Sequence, residues 1–197
     1  MEISFIMTLL ASYLIGAIPC GVVLTRLTGA GDVRNSGSGN IGATNVYRTA
    51  GRKLGVLTLV GDIIKGIIPV VYAVVIAEMN TEQTAMIACA TFLGHLYPVY
   101  LGFRGGKGVA TALGIYLVLS PISVLFAAII FIGLVWIWRY ISLGSILASA
   151  VIPPFIYFYE GSLPLLFASL FISIMVIWRH RENISRLLSG TENKFKA

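Results

Sequence analysis

The chain has 197 residues, 57% of them hydrophobic and 11% charged, with 14 Lys and Arg against 8 Asp and Glu. Its mean hydropathy of +0.90 is above that of a water-facing domain, in which about half the residues are apolar. A soluble globular fold is excluded, and the net charge of +6 must be explained by where the bases fall along an integral membrane chain.

Seven apolar segments follow one another, at 3–25, 54–77, 83–101, 109–120, 122–138, 141–159 and 162–178. The first is preceded by Glu2 where a cleaved leader has a basic region, and no small-residue cleavage pattern follows. It is expected to be retained as a span. Cys20 there and Cys89 in the third segment lie inside apolar runs without metal-ligand spacing, and are expected to pack as free thiols.

Residues 29–53, GAGDVRNSGSGNIGATNVYRTAGRK, interrupt the apolar pattern. Glycines allow backbone N–H groups to converge on an anion. Ser38, Asn40, Thr44 and Asn45 add side-chain donors, and Arg48 can pair with phosphate through two bonds. The same composition describes a flexible solvated loop equally well. Gly37, Gly39 and Gly42 meet the literal G-x-G-x-x-G spacing, but an apolar helix and not a strand precedes them, so no dinucleotide site is read.

The second segment carries Asp62 and Lys65, three residues apart and so neighbours on a helix. Charges at membrane depth are costly and usually paired or functional; this pair is expected to be structural and to orient a site. His95, in the third segment before Tyr97-Pro98, is either a core histidine or the wall of a site.

Residues 102–111, GFRGGKGVAT, set Lys107 between Gly105-Gly106 and Gly108 at the start of a helix. A mobile cation, exposed amides and a positive helix end together favour phosphate. Gly108 stands where a Walker A loop has its magnesium-binding Ser or Thr, so a phosphate ligand without an obligatory metal fits better; a basic turn that only fixes topology is the plainer alternative. The fourth segment, at 12 residues before Ser120-Pro121, is short for a span that needs roughly 20. After the seventh, Arg179, His180, Arg181 and Asn183 cluster, and Ile184, Leu187 and Leu188 recur at helical spacing, as in a tail lying on a membrane surface.

Charge placement orders these segments. Seven spans with an external N-terminus put 13 of the 14 Lys and Arg on one side, all except Lys65, and leave Glu2, Glu78, Glu82 and Glu160 on the other. Bases are retained on the cytoplasmic side, so the C-terminus is expected inside. Merging the fourth and fifth segments into one would move both Arg139 and the C-terminal bases to the face opposite the remaining bases, which favours seven.

Three polar segments on one face then imply one phosphate site, and here the chain resembles a known family, the bacterial acyl-phosphate:glycerol-3-phosphate acyltransferases (PlsY). The resemblance is carried by Ser38-Gly39-Asn40-Ile41-Gly42-Ala43-Thr44-Asn45 with Arg48, by Asp62, Lys65 and Gly66, by Gly94-His95 with Pro98, and by Gly105-Gly106-Lys107-Gly108-Val109-Ala110-Thr111. It continues through His180-Arg181-Glu182-Asn183-Ile184, Arg186-Leu187 and Gly190-Thr191-Glu192, and so covers essentially the whole chain in order.

Membership implies an all-α, seven-span membrane enzyme with one catalytic domain over residues 1–197, in the bacterial cytoplasmic membrane with its site on the cytoplasmic side. It implies transfer of a fatty acyl group from acyl phosphate to the sn-1 hydroxyl of glycerol 3-phosphate, giving lysophosphatidic acid and inorganic phosphate. Lys107 with the amides of Gly105, Gly106 and Gly108 would hold phosphate; Ser38, Arg48, His180 and Asn183 would hold glycerol 3-phosphate. Gly39, Asn40, Gly42, Thr44, Asn45, Thr111 and Arg181 would support binding, backed by Asp62, Lys65 and His95. The base is His180 or a substrate phosphate. The thioester-type His-x-x-x-x-Asp dyad is absent, since Tyr100 follows His95 and Ser185 follows His180 at that spacing. Membrane lipid is the surrounding partner; no metal, other cofactor or nucleic acid is expected. A transporter or channel for a phosphorylated solute is the alternative, but transporters often hold substrate at mid-membrane between inverted repeats, and no internal repeat is found.

Overall fold

A computed structural model describes residues 2–195, the side chain of Glu2 excepted; Lys196, counted above among the bases, lies outside the described residues. Those residues form ten α-helices and no strand, in two compact units that meet in sequence at Val118 and Leu119. The outer faces are apolar: Trp136, Phe158, Phe167 and Ile174 are all more than 60% exposed, which is tenable only in lipid.

In the first unit, α1 (Glu2–Gly16) and α2 (Cys20–Leu27) divide the segment expected as one span, with a bend of 47° between them. Pro19 sets the break: it has no N–H for the helix ladder and disfavours helical geometry at the residue before it. The polar stretch 29–53 is not loop throughout. A 3-10 turn at Val33–Asn35 leads to α3 (Ala43–Ala50), whose Val46 joins Val22, Val33 and Ile41 in a small apolar cluster covered by Ala50, Leu54 and Leu101. Burying Val46 anchors a helix that hydropathy alone does not reveal.

The second long helix is α4 (Arg52–Val71), continued by a π-turn at Tyr72–Ile76; α5 (Thr81–Leu96) packs on both α1 and α4. Asn80 caps α5 by accepting from the Gln83 amide at 2.9 Å. Glycines bring the helix backbones together. A Cβ on Gly16 or Gly94 would overlap main chain of the opposite helix in the α1–α5 pair, and Gly66 and Gly114 do the same where α4 meets α6 (Val109–Leu119). Small residues serve lipid-embedded packing in this way, because close contact replaces the missing hydrophobic drive.

The second unit comprises α7 (Pro121–Trp138), α8 (Ile141–Glu160), α9 (Leu163–Arg179) and α10 (Arg181–Leu188). Here α8 packs on both α7 and α9, with Phe126 stacked on Phe155 at 5.0 Å and on Tyr159 at 5.9 Å. The tail helix expected from Ile184, Leu187 and Leu188 is α10, bent 55° from α9 at His180.

The chain is thus an all-helical integral membrane protein. Four helical stretches are long and apolar enough to cross a bilayer, and six spans result if each bent pair counts as one. The fourth apolar segment is the 11-residue α6, roughly 16 Å long at 1.5 Å per residue.

Candidate active site

The glycine-rich stretch before α3 is organised by one buried side chain. The Asn45 carboxamide accepts from the Ser38 amide at 2.9 Å and donates to the carbonyls of Asn40 (2.9 Å), Ser36 (3.0 Å) and Val33 (3.2 Å). Asn45, expected as a substrate donor, instead ties the loop that carries Ser38. Gly37, at φ +61°, lies so close to the Asn45 oxygen that a Cβ there would overlap it. Asn40 is also turned inward, accepting from the Gly42 amide at 2.9 Å. By contrast, the Ser38 and Arg48 residues are exposed. Thr44 and Arg48 share a face of α3, one turn apart, while Asn45 and Val46 face inward.

Asp32 was not singled out by sequence, although it is the lone acid in this basic stretch. Its carboxylate accepts from the Arg34 side chain at 2.6, 2.9 and 3.1 Å, from the Arg34 amide at 3.0 Å and from Arg26 at 2.7 Å. The Arg34 guanidinium, with smaller help from its amide and from Arg26, holds the Asp32 carboxyl well below the ordinary range. Arg34 is correspondingly committed to Asp32.

The second glycine-rich stretch folds back on the end of α5. The Gly105 and Gly106 amides donate to the carbonyls of Leu96 and His95, each at 3.2 Å. Lys107 and Gly108 follow, immediately before α6. Gly108 has φ +84° and is packed on Phe92 and Leu96. Thr111, in the first turn of α6, is fully buried, and its hydroxyl has no hydrogen-bond partner among the described residues.

Behind this loop lies the intramembrane ion pair. Lys65 Nζ is 2.8 Å from Asp62 Oδ1 and donates to the Ile18 carbonyl at 2.7 Å, in the break between α1 and α2. His95 Nδ1 is 3.8 Å from the same Asp62 oxygen, and the three side chains are each 3–4% exposed. Lys65 thus serves a carbonyl at the helix break, and Asp62 balances its charge. His95 belongs to this cluster and also lies against the loop at Gly106.

In the second unit, His180 sits at the α9–α10 bend with Nδ1 2.8 Å from the Val176 carbonyl. A carbonyl only accepts, so Nδ1 is the donor in this contact. Asn183 donates to Glu192 at 2.7 Å, and Ser142 and Arg186 donate to the same carboxylate, also at 2.7 Å each. Burial, the largest single influence, pushes the Glu192 carboxyl up; the bonds from Asn183, Arg186 and Ser142 together outweigh it and leave it below its ordinary value. Glu192 and Ser142 were given no role in the sequence, where the Gly190-Thr191-Glu192 pattern marks Glu192 and nothing marks Ser142. Arg181 lies over the Trp178 ring at 4.8 Å, and so binds an aromatic at the bend. Among the described residues no three of His, Cys, Asp and Glu gather as a metal site.

Residues 6–190 match the family model described as glycerol-3-phosphate acyltransferase. A glycerol-3-phosphate acyltransferase of Syntrophotalea carbinolica is 63% identical over 194 residues, covering 98% of this chain and 99% of that one. A crystal structure of PlsY, an integral membrane glycerol 3-phosphate acyltransferase, in its glycerol 3-phosphate form is 42% identical, with a TM-score of 0.93 over 98% of this chain and 96% of that one. Its lysophosphatidic acid form is 41% identical, with a TM-score of 0.91 and the same coverage.

Proposed function

The chain belongs to the glycerol-3-phosphate acyltransferase family, and from that premise we propose that it acylates the sn-1 hydroxyl of glycerol 3-phosphate with acyl phosphate as donor. It is an enzyme that produces lysophosphatidic acid. The hydroxyl oxygen forms a bond to the acyl carbon, the bond from that carbon to the phosphate oxygen breaks, and inorganic phosphate leaves. The hydroxyl proton passes to His180 Nε2 or to a phosphate oxygen. Acyl phosphate is already activated, so positioning and charge stabilisation carry the rate.

The observation that supports this donor best is Lys107 at the head of α6, on a glycine-rich loop seated against α5. Lys107 and the Gly108 amide hold the donor phosphate and oppose the negative charge that develops on the oxygens of the reacting centre. The unpartnered Thr111 hydroxyl one turn inside α6 suits the same group. Ser38, Arg48, His180 and Asn183 hold glycerol 3-phosphate; Gly39, Gly42, Thr44 and Arg181 shape and steady that set.

The same reading places the enzyme, as one catalytic domain, in the bacterial cytoplasmic membrane with seven spans, an external N-terminus and its site on the cytoplasmic side. Support comes from the 13 bases that fall to that side and from counting α6 as a short span beside the six formed by the long helices and bent pairs. The test is to incubate purified protein and glycerol 3-phosphate with palmitoyl phosphate or, in parallel, palmitoyl-CoA. Lysophosphatidic acid is expected from the first alone; equal product from the thioester would overturn the assignment of donor.

A further inference from the structure

We infer that His95 is a positioning residue for Lys107, acting as the surface on which the Lys107 loop is moulded. Gly106 is buried, and the three atoms nearest to a Cβ built on it all belong to the His95 ring: Nε2, which it would overlap, then two ring carbons at 2.9 and 3.1 Å. The backbone at Gly106 is not in the left-handed region, so an L residue is conformationally admissible there. Glycine is required at 106 because of the imidazole. The neighbouring glycines differ in kind. A Cβ on Gly105 would meet the carbonyls of His95 and Leu96, and Gly108 has φ +84°. Of these three positions, only the constraint at 106 is removed by trimming one side chain.

The imidazole packs beside the buried ion pair. Asp62 Oδ1 lies 3.8 Å from its Nδ1, Lys65 is 2.8 Å from that oxygen, and Lys65 donates to the Ile18 carbonyl. The contacts run from the break in the first segment through Lys65, Asp62 and His95 to Gly106, the residue before Lys107. Two amide bonds, from Gly106 to His95 and from Gly105 to Leu96, fasten the loop to the same end of α5. The ring therefore sets where the Lys107 backbone emerges, and so where its ammonium reaches. This inference rests on the reading above in which Lys107 holds the donor phosphate.

The test is a double-mutant cycle at positions 95 and 106, with kcat and KM for palmitoyl phosphate and for glycerol 3-phosphate measured on variants that are monodisperse in detergent. Gly106→Ala should lose about 100-fold in kcat/KM for palmitoyl phosphate, the scale of a misplacement of about 1 Å. His95→Ala in the same chain should recover at least about tenfold of that loss, bringing the double variant to the level of His95→Ala alone, as for residues in direct contact. Recovery should be confined to the donor parameters, with KM for glycerol 3-phosphate unmoved; a ring needed only for packing would lower yield and melting temperature without that split. His95→Phe keeps the ring volume and should not rescue Gly106→Ala, and His95→Ala should not rescue Gly108→Ala. If the alanine double variant does not purify monodisperse, His95→Asn takes its place. Losses that simply multiply, or a fully active Gly106→Ala enzyme, would overturn the inference. An active Lys107→Ala enzyme would instead overturn the underlying reading; an inactive one with multiplicative losses at 95 and 106 would sink the role of His95 alone.

Discussion

Replacing Asn45 by alanine tests whether the loop carrying Ser38 is preorganised by that carboxamide or merely tolerates it. The side chain is 4% exposed and serves four backbone groups, one amide and three carbonyls. Its two amide hydrogens are shared among three acceptors, so it makes about three hydrogen bonds' worth of contact. At about 0.5–1.5 kcal/mol each, with the groups at Ser36, Ser38 and Asn40 regaining water, the loss comes to roughly 2–3 kcal/mol. If that energy holds Ser38 in its reactive place, kcat/KM falls about 30- to 150-fold. Hydrogen exchange on the substrate-free enzyme in detergent supplies the second readout: amides across residues 36–42 should exchange faster in Asn45→Ala by a comparable factor. Unchanged exchange there, with a raised KM for glycerol 3-phosphate alone, would show that Asn45 contacts substrate directly and would refute the reasoning.

Lys65→Met leaves Asp62 buried without its partner and should cost about 3–5 kcal/mol, whereas Lys65→Met combined with Asp62→Asn should be clearly milder; melting temperatures in one detergent decide this. His180→Gln keeps a donor and an acceptor but cannot take a proton at neutral pH, so wild-type-like turnover would exclude His180 as an obligatory base and a large fall in kcat is expected if it is one. Glu192→Gln weakens three bonds to one carboxylate and should cost about 1.5–3 kcal/mol. The Glu192 pKa is lower in the fold than its ordinary 4.5, so its contribution is fully present above that value and is lost as pH falls through the folded pKa. The melting-temperature gap between wild type and Glu192→Gln should therefore hold steady from about pH 7 to 5.5 and narrow below about 4.5.

Hydropathy located every apolar segment but not the break at residues 17–19, because a run of nonpolar side chains reads alike whether or not its backbone stays helical. Pro19 was the available signal. The helix α3 escaped for the opposite reason. Its composition is polar, and the pairing of Ile41 with Val46 and Leu54 that justifies it is tertiary. Within the site, residue types marked the right stretches without telling direction. Asn45 and Ser38 are both short polar residues of one loop, yet one turns in to bind backbone and the other is exposed. Contacts between distant segments, such as Lys65 with Ile18 or His95 with Gly106, have no local sequence signature at all.

The Ile18–Lys65 bond also bears on how the chain is made. The two partners are 47 residues apart, so the ribosome delivers the bent first segment well before the ammonium that attends its interrupted backbone. Until α4 arrives, the Ile18 carbonyl lacks its lysine, whereas Asp62, three residues ahead on the same helix, accompanies Lys65 as its counter-charge from the start. The polar break in the first segment is therefore completed only by the second, and neither segment's buried polar groups are settled until both are in place.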